Sequence, residues 1–318
     1  MSFDFDAAVV TPFRMQPGLR RRAPGARQLS PLAPGCRHQR EKLAVLSAFW
    51  SEALLSQPGF DAEPALRALN VQAAAEHPQH WAWDGERAQS RSVNTSVDGA
   101  GRVHQSAPGQ FGLGDEVARC LRLLPPHWRL AGLLSLSFAE DFALVNGNDG
   151  SIPWLAVALP SHWAPQDKIG LHFSAIHAPV ADNAKLLAAS VALTRLVTTD
   201  TRWERFVWNI SDHPRLHAHP ARVDAERWVG QSVAQACWRT ERQSFIAVPG
   251  QVQAVFTIEV QVQSLRTALA TAAQALAVHD AVASMSPQVL QYRSLSTVRE
   301  PLLHWLRTRA DELQQQAL

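Results

Sequence analysis

Cysteine and long apolar runs are scarce in this sequence of 318 residues. Its three cysteines, Cys36, Cys120 and Cys237, lie far apart and form no Cys-x-x-Cys pair. This spacing argues against a disulfide framework, an iron–sulfur site and a structural zinc site, and it fits a reducing compartment. No apolar run approaches the roughly 20 residues that span a bilayer, and the acidic start lacks the apolar segment of a signal peptide. We therefore expect a soluble cytoplasmic protein.

Clustered charge and nucleotide-binding motifs are absent as well. The 30 Lys and Arg residues nearly balance the 28 Asp and Glu residues, and apart from residues 20–22 the basic ones are spread along the chain. Nucleic-acid binding needs a clustered basic face, so we do not expect it. No Gly-x-Gly-x-x-Gly turn opens a helix, and there is no Walker-type loop. Apolar residues make up 46% of the chain, which is enough for a large core.

The spacing of apolar residues predicts the order of helices and strands. Residues 1–39 are rich in proline and predict an extended arm without a periodic element. Helical spacing is present in residues 40–57, 62–76, 114–124, 181–197, 264–282 and 297–315. Strands are predicted at 130–138, 141–145, 153–159, 203–210, 241–248 and 254–263, with loops or short strands at 77–112. This order predicts an α+β fold, with an antiparallel sheet and helices on one side of it.

The stretch from residue 159 to residue 180 is the most distinctive part of the chain. It predicts a strand end, two proline turns and a short amphipathic helix from about Asp167 that carries His177 near its end. Pro179 ends this helix because proline lacks the amide hydrogen that a continuing helix needs. A histidine in this position could bind a metal in a pocket, or it could donate a hydrogen bond to a loop carbonyl.

Six segments occur in an order that is typical of one family. They are residues 12–20 (PFRMQPGLR), 140–145 (EDFALV), 159–170 (LPSHWAPQDKIG), 176–180 (IHAPV), 239–243 (RTERQ) and 254–258 (AVFTI). Together they resemble the α subunit of the haem-dependent oxidative N-demethylases and the wider family named after it. The resemblance implies a PAS-like antiparallel sheet with flanking helices that binds haem b, with His177 as the iron ligand. It also implies an N-terminal arm and helices (1–127), a haem-binding core (128–265) and C-terminal helices (266–318).

The resemblance further implies an activity. The family removes a methyl group from a small secondary amine, using O2 and NADPH. Electrons would reach the haem from partner subunits that carry FMN and a 2Fe–2S cluster, because this chain has too few cysteines for the cluster. One departure concerns the family's Arg-x-Asn-Trp motif. Here Arg205-Phe-Val-Trp208 has Val207 at the asparagine position.

Other polar residues are candidates for the same pocket. Arg239 and Arg242 could pair with a haem propionate, because a guanidinium matches carboxylate geometry, or they could form an intrastrand or surface ion pair with Glu241. Thr257 could donate a hydrogen bond to bound oxygen, and Glu259 could hold the substrate ammonium. For Glu259 we favour the alternative of a solvated strand face. Structural roles are predicted for His162 and His172 near the pocket, for His213, His217 and His219 in a surface loop, and for Glu140 and Asp141 in a turn.

Three functions stay open from the sequence. The first is a haem monooxygenase subunit, in which the protein supplies the histidine ligand, the pocket and the surface for the electron partners. The second is a sensor module that binds haem or another small ligand without turnover. The third is a structural family member with an empty pocket, because a fold alone does not fix a function.

Overall fold

The structure is a computed structural model that describes residues 3–178, 180–182, 184–199 and 203–316. Its helices are α1 (Phe5–Ala8), α2 (Arg37–Ala53), α3 (Glu63–Glu76), α4 (Glu116–Leu123), α5 (Arg129–Ser137), α6 (Phe173–His177), α7 (Ala184–Ala188), α8 (Ser190–Val197), α9 (Leu265–Ala268), α10 (Ala272–Ala283), α11 (Pro287–Tyr292) and α12 (Arg299–Gln316). Its strands are β1 (Arg20–Arg21), β2 (Leu54–Ser56), β3 (Trp81–Trp83), β4 (Arg87–Ser90), β5 (Thr95–Asp98), β6 (Val103–Gln105), β7 (Glu140–Asn146), β8 (Trp154–Ala156), β9 (Trp203–Ser211), β10 (Cys237–Ala247) and β11 (Gln253–Ser264). These elements confirm the predicted α+β class. No helix in the described ranges is long and apolar enough to cross a membrane.

A seven-stranded antiparallel sheet organises the fold. Its strand order is β1–β9–β10–β11–β7–β8–β2, and a second sheet has the order β3–β4–β5–β6. The longest pairing joins β10 to β11, from Cys237 opposite Ser264 to Ala247 opposite Ala254. The antiparallel sheet is therefore confirmed, but helices cover both of its faces, so the prediction of helices on one side is wrong. Residues 77–112, predicted as loops or short strands, form the smaller sheet.

The two faces of the central sheet have different environments. On β10 the side chains at positions 241, 243, 245 and 247 are partly buried, whereas those at 242, 244 and 246 are fully buried. Because successive side chains of a strand point to opposite faces, the alternation separates a close-packed face from a face that borders a cavity.

Two apolar cores hold the helices against the sheet. The first packs helices α2, α3, α4 and α5 against the sheet, around fully buried residues such as Trp81, Phe138 and Phe142. The second joins β9 and β10 to α10, α11 and α12, and it contains Trp208 and Trp238, whose rings stack at 4.9 Å. The start of the N-terminal arm packs on this second core through Phe3, Phe5, Phe13 and Met15, and the arm contains α1 and β1, so the prediction of an arm without a periodic element is wrong.

The clearest wrong prediction concerns residues 130–138, which form helix α5 and not a strand. All residues of this helix from Ala131 to Ser137 are buried, so its apolar run has neither a polar face nor an alternation. A short run of this kind does not distinguish a buried helix from a buried strand. Packing decides the outcome: Gly132 lies so close to Leu121 and Leu124 that a Cβ atom would collide with both side chains.

Two predicted helices are shorter than expected. The helix predicted from Asp167 begins at Phe173, and the Nδ1 atom of His172 accepts a hydrogen bond from the backbone N–H of Ser174, 3.0 Å away. Residue 170, a glycine with φ +75°, ends the preceding turn. The helix predicted over residues 264–282 is divided into α9 and α10 at Thr271, which begins α10 with a capping box.

Candidate functional site

A cavity of about 400 Å³ lies between the partly buried face of the sheet and helices α6 and α8. Its volume falls in the range of roughly 300–1,000 Å³ that is usual for small-molecule and cofactor sites. The apolar part of the lining includes Met15 and Leu19 of the arm, Ala143 and Val145 of β7, Leu155 of β8, Phe173 and Ile176 of α6, Leu193 and Val197 of α8, and Phe256 and Ile258 of β11. The sheet therefore supplies one wall and the two helices supply another.

Arginine side chains reach this cavity from two strands and from the end of α11. Arg239 is 2% exposed, and it donates hydrogen bonds to Ser161 Oγ (2.8 Å) and to the carbonyl oxygens of Arg215 (2.9 Å) and Leu216 (2.8 Å). Burial lowers the pKa of its guanidinium to about 10. These partners are neutral oxygens, and none of the described carboxylates lies within the 4.0 Å of an ion pair.

Arg205 and Arg293 are less completely satisfied. The Nε atoms of both side chains are buried without a hydrogen-bond partner in the described part of the chain. Arg293 donates from Nη1 to the carbonyl oxygen of Trp208 (2.7 Å) and lies over the ring of Phe13, 4.5 Å from its centre. Burial lowers the pKa of Arg205, and it lowers that of Arg293 to about 10. Unpaired buried donors are costly, so an anion in the cavity would stabilise both groups.

The described lining contains a single carboxylate, that of Glu241. Its Oε2 atom accepts a hydrogen bond from Gln243 Nε2 at 2.6 Å, and both residues lie on the cavity face of β10. Val207 lies directly opposite Glu241 in the strand pairing and also lines the cavity. Tyr292, which is 48% exposed, shows where the cavity opens to solvent.

The structure brings only one of the four predicted arginine, threonine and glutamate candidates to this cavity. Arg239 lines it, whereas Arg242 lies on the opposite face of β10 and pairs there with Glu204 at 3.1 Å. Thr257 and Glu259 lie on that opposite face of β11, and the Thr257 hydroxyl is 2.7 Å from that of Ser244. Neither buried arginine forms an ion pair with Glu241 in the described part of the chain, so the alternative of an intrastrand or surface pair with Glu241 is wrong.

His177 ends helix α6, and its neighbour Ile176 lines the cavity together with Phe173. The side chain of His177 and all of Pro179 lie outside the described residues. The assignment of His177 as an iron ligand therefore stays a prediction.

The other histidines have structural surroundings. His162 lines the cavity in a left-handed backbone conformation (φ +64°), and its Nδ1 atom lies 3.0 Å from Arg227 Nη1. Burial lowers the pKa of His162 to about 3, so its ring is neutral. His213, His217 and His219 lie in a loop, as predicted, but His219 is only 4% exposed and His217 Nδ1 lies 2.7 Å from the carbonyl oxygen of Ala158. Within the described ranges, no group of three His, Cys, Asp or Glu side chains could hold a metal ion.

Sequence reasoning missed Arg293 and Tyr292 as cavity residues and did not single out Arg205. Arg205 could have been found, because it is two residues from Val207 and strand side chains alternate between faces. The sequence held no signal for the pair at residues 292 and 293, since every other described lining residue lies more than 30 residues away along the chain and only tertiary packing brings α11 to β9.

Glu140 and Asp141 were predicted in a turn, but they lie in β7 and are buried, so that prediction is wrong. Glu140 is the direct cross-strand partner of Glu259. Glu140 Oε2 accepts the backbone N–H of Ser30 at 3.0 Å, and Glu259 Oε2 accepts the hydroxyl of Ser30 at 3.2 Å. Glu259 is 5% exposed, so the expectation of a solvated face is also wrong.

This buried pair of acids predicts a pH dependence of stability. Burial, followed by the carboxylate of Glu259, raises the pKa of Glu140 from 4.5 to about 8. Between these values the folded protein keeps a proton that the unfolded chain releases, so the free energy of unfolding falls as the pH rises. This contribution changes the free energy of unfolding by up to about 1.4 kcal/mol per pH unit, and Glu140→Gln removes it. Urea unfolding at about pH 5 and about pH 8 should show that the free energy of unfolding falls less between these two pH values in the variant than in the unmodified protein. An equal fall of the free energy of unfolding in both proteins would contradict the raised pKa of Glu140.

Comparison with known proteins gives a match to a protein family. Residues 121–303 match the family described as "Haem-dependent oxidative N-demethylase, alpha subunit-like". The matched range is more than half of the chain, and it contains the whole cavity lining except the segment from Met15 to Leu19. No curated protein matches the chain.

Proposed function

The chain belongs to this family of haem-dependent oxidative N-demethylase α-subunit-like proteins, and we propose that it binds haem b in the cavity between the sheet and helices α6 and α8. There it would support the oxidative N-demethylation of a small secondary amine. O2 would be the oxidant, and the electrons would come from partner subunits that carry FMN and a 2Fe–2S cluster.

The observation that carries the proposal is a mostly apolar cavity whose lining includes two buried arginines with an unpaired Nε atom. A haem has an apolar ring and two propionate groups, so it needs apolar walls and a few donors for anionic oxygens. The stacked rings of Phe245 and Phe256, 5.0 Å apart, belong to these walls. The buried Nε atoms of Arg205 and Arg293 have no described partner, and propionates would satisfy them. The residues present therefore fit the group.

Strand order supports the PAS-like part of the proposal. Five strands of the central sheet follow the order β9–β10–β11–β7–β8, and helices α6 to α8 lie in the connection from β8 to β9. This arrangement places a helical segment on one face of an antiparallel sheet, with the ligand cavity between them. His177, at the end of α6, would supply a nitrogen ligand for the iron from that helical segment.

Each wall of the cavity then has a distinct task. When bound, haem supplies the oxygen chemistry, while the protein binds, orients and shields the reactants. Arg205 and Arg293 would hold the propionates, and Arg239, which is already fixed by hydrogen bonds to backbone carbonyls, would add positive charge beside them. The arm segment from Met15 to Leu19 lines the cavity and would help to exclude water from it.

An absorption spectrum tests the proposal. Protein purified from cells with an adequate haem supply should show a Soret band, and Arg205→Leu should weaken haem binding by about tenfold or more, the cost of losing a charge-assisted hydrogen bond. Arg119→Leu is the matched control, because Arg119 forms an exposed pair with Asp115 outside the cavity. Absence of the band would refute haem binding. A Soret band without amine-dependent NADPH use, after addition of the reductase subunits, would refute the catalytic part and leave a haem sensor.

A further inference from the structure

We infer that Glu241 is the anchor for the ammonium group of the substrate, and that Val207 sets the apolar surface beside it. This inference rests on the proposed function, because it concerns an amine in the haem cavity. It assigns the charge selectivity of the site to one carboxylate on the central strand β10.

The first argument comes from the charges around the cavity. Its described lining includes four cationic side chains, Lys168, Arg205, Arg239 and Arg293, and one carboxylate, Glu241. A secondary amine is protonated at neutral pH and would be repelled by the arginines. Once the propionates neutralise part of that positive charge, Glu241 is the described lining group to which a cation can bind. Haem and amine are thus expected to bind to different groups of the same cavity.

The second argument is the hydrogen bonding of the carboxylate. Gln243 Nε2 donates to Glu241 Oε2 at 2.6 Å and fixes its orientation. Glu241 Oε1 accepts no hydrogen bond from the described residues, and an ammonium bound to it would compete with the nearby charges of Arg205 and Arg239. An ammonium with two N–H groups could donate one of them to this oxygen as a charge-assisted hydrogen bond.

The third argument concerns the neighbouring side chain. Val207 is the direct cross-strand partner of Glu241, and directly opposed Cβ atoms are about 4.5–5.5 Å apart. An ammonium bound to Glu241 would therefore have its alkyl group against a valine. An asparagine at position 207 could instead donate its own N–H to Glu241 and compete with the substrate. The valine thus favours amines that carry apolar substituents.

Calorimetric titration of the haem-loaded protein with dimethylammonium chloride tests the inference. Glu241→Gln keeps the size of the side chain but removes its charge, and it should weaken binding by about tenfold or more. Val207→Asn should weaken binding in the same direction. Glu52→Gln is the matched control, because Glu52 pairs with Arg222 outside the cavity. The Soret absorbance of each variant shows separately whether haem is still bound, so a failure of the proposed function is distinguishable from a failure of this inference.

Two results would overturn the inference while leaving haem binding intact. One is an unchanged affinity of Glu241→Gln for dimethylammonium, above all if Glu259→Gln, on the opposite face of the sheet, loses affinity instead. The other is tighter binding of N-methylglycine than of dimethylammonium. That preference would mean that the arginines hold the substrate through its carboxylate, and that Glu241 is not the main anchor.

Discussion

Replacing Lys42 with methionine is expected to lower the free energy of unfolding by about 3–5 kcal/mol, the cost of breaking a buried ion pair. The Lys42 side chain is 0% exposed, and its Nζ atom lies 3.1 Å from Asp141 Oδ1. It also donates to the carbonyl oxygens of Phe138 (3.1 Å) and Glu140 (2.6 Å). Methionine fills similar space, so the loss would come from the uncompensated Asp141 carboxylate and the two carbonyl groups, and not from an empty cavity.

Urea unfolding of the variants measures this effect. Arg67→Met is the matched control, because Arg67 pairs with Glu63 on an exposed helix surface, where an ion pair contributes about 0–1 kcal/mol. The double variant with Lys42→Met and Asp141→Asn should be more stable than Lys42→Met alone, since the amide oxygen of Asn can still accept from the Leu159 N–H without an unpaired charge. Equal losses for Lys42→Met and Arg67→Met would show that the buried pair contributes no more than the exposed pair.

The strands that pair over many residues were predictable. β9 and β10 alternate in burial along much of their length. The stretches 203–210 and 254–263 lie within β9 and β11, and 241–248 covers most of β10 and extends one residue past its end. Helices α3 and α12 were predictable for the same reason, because a polar face and an apolar face repeat along each of them. Local periodicity carries this information, since each face meets one kind of environment.

Residues whose role depends on tertiary packing were not predictable in the same way. Helix α5 has no polar face, so its sequence alone does not distinguish it from a strand. Arg239 and Arg242 are three residues apart on β10 and therefore lie on opposite faces. The alternation shows that the two side chains lie on different faces of the sheet. Which of these faces borders the cavity depends on where α6 and α8 pack. The contribution of Arg293 arises only when the C-terminal helices join the sheet.

The second large effect is expected at His177. His177→Ala should lose more haem affinity than the ~10–100-fold that removal of an outer-shell partner of a metal site costs, because it would remove the coordinating nitrogen itself. The apolar walls and the arginines remain in this variant, so weak haem binding should persist. Haem titration followed by the Soret absorbance measures the change, and added imidazole should restore part of the affinity by occupying the vacated space.

His172→Ala is the control on the same helix. His172 begins α6, where its side chain accepts the Ser174 N–H, so its loss should cost about 1 kcal/mol of stability but leave haem affinity unchanged. If His177→Ala instead bound haem as tightly as the unmodified protein, the ligand would have to be another group of the cavity. His162 is the described histidine that lines it, and burial keeps its imidazole neutral, as a metal ligand must be. The same haem titration of His162→Ala would then decide between them, because only the variant that lacks the true ligand loses haem affinity.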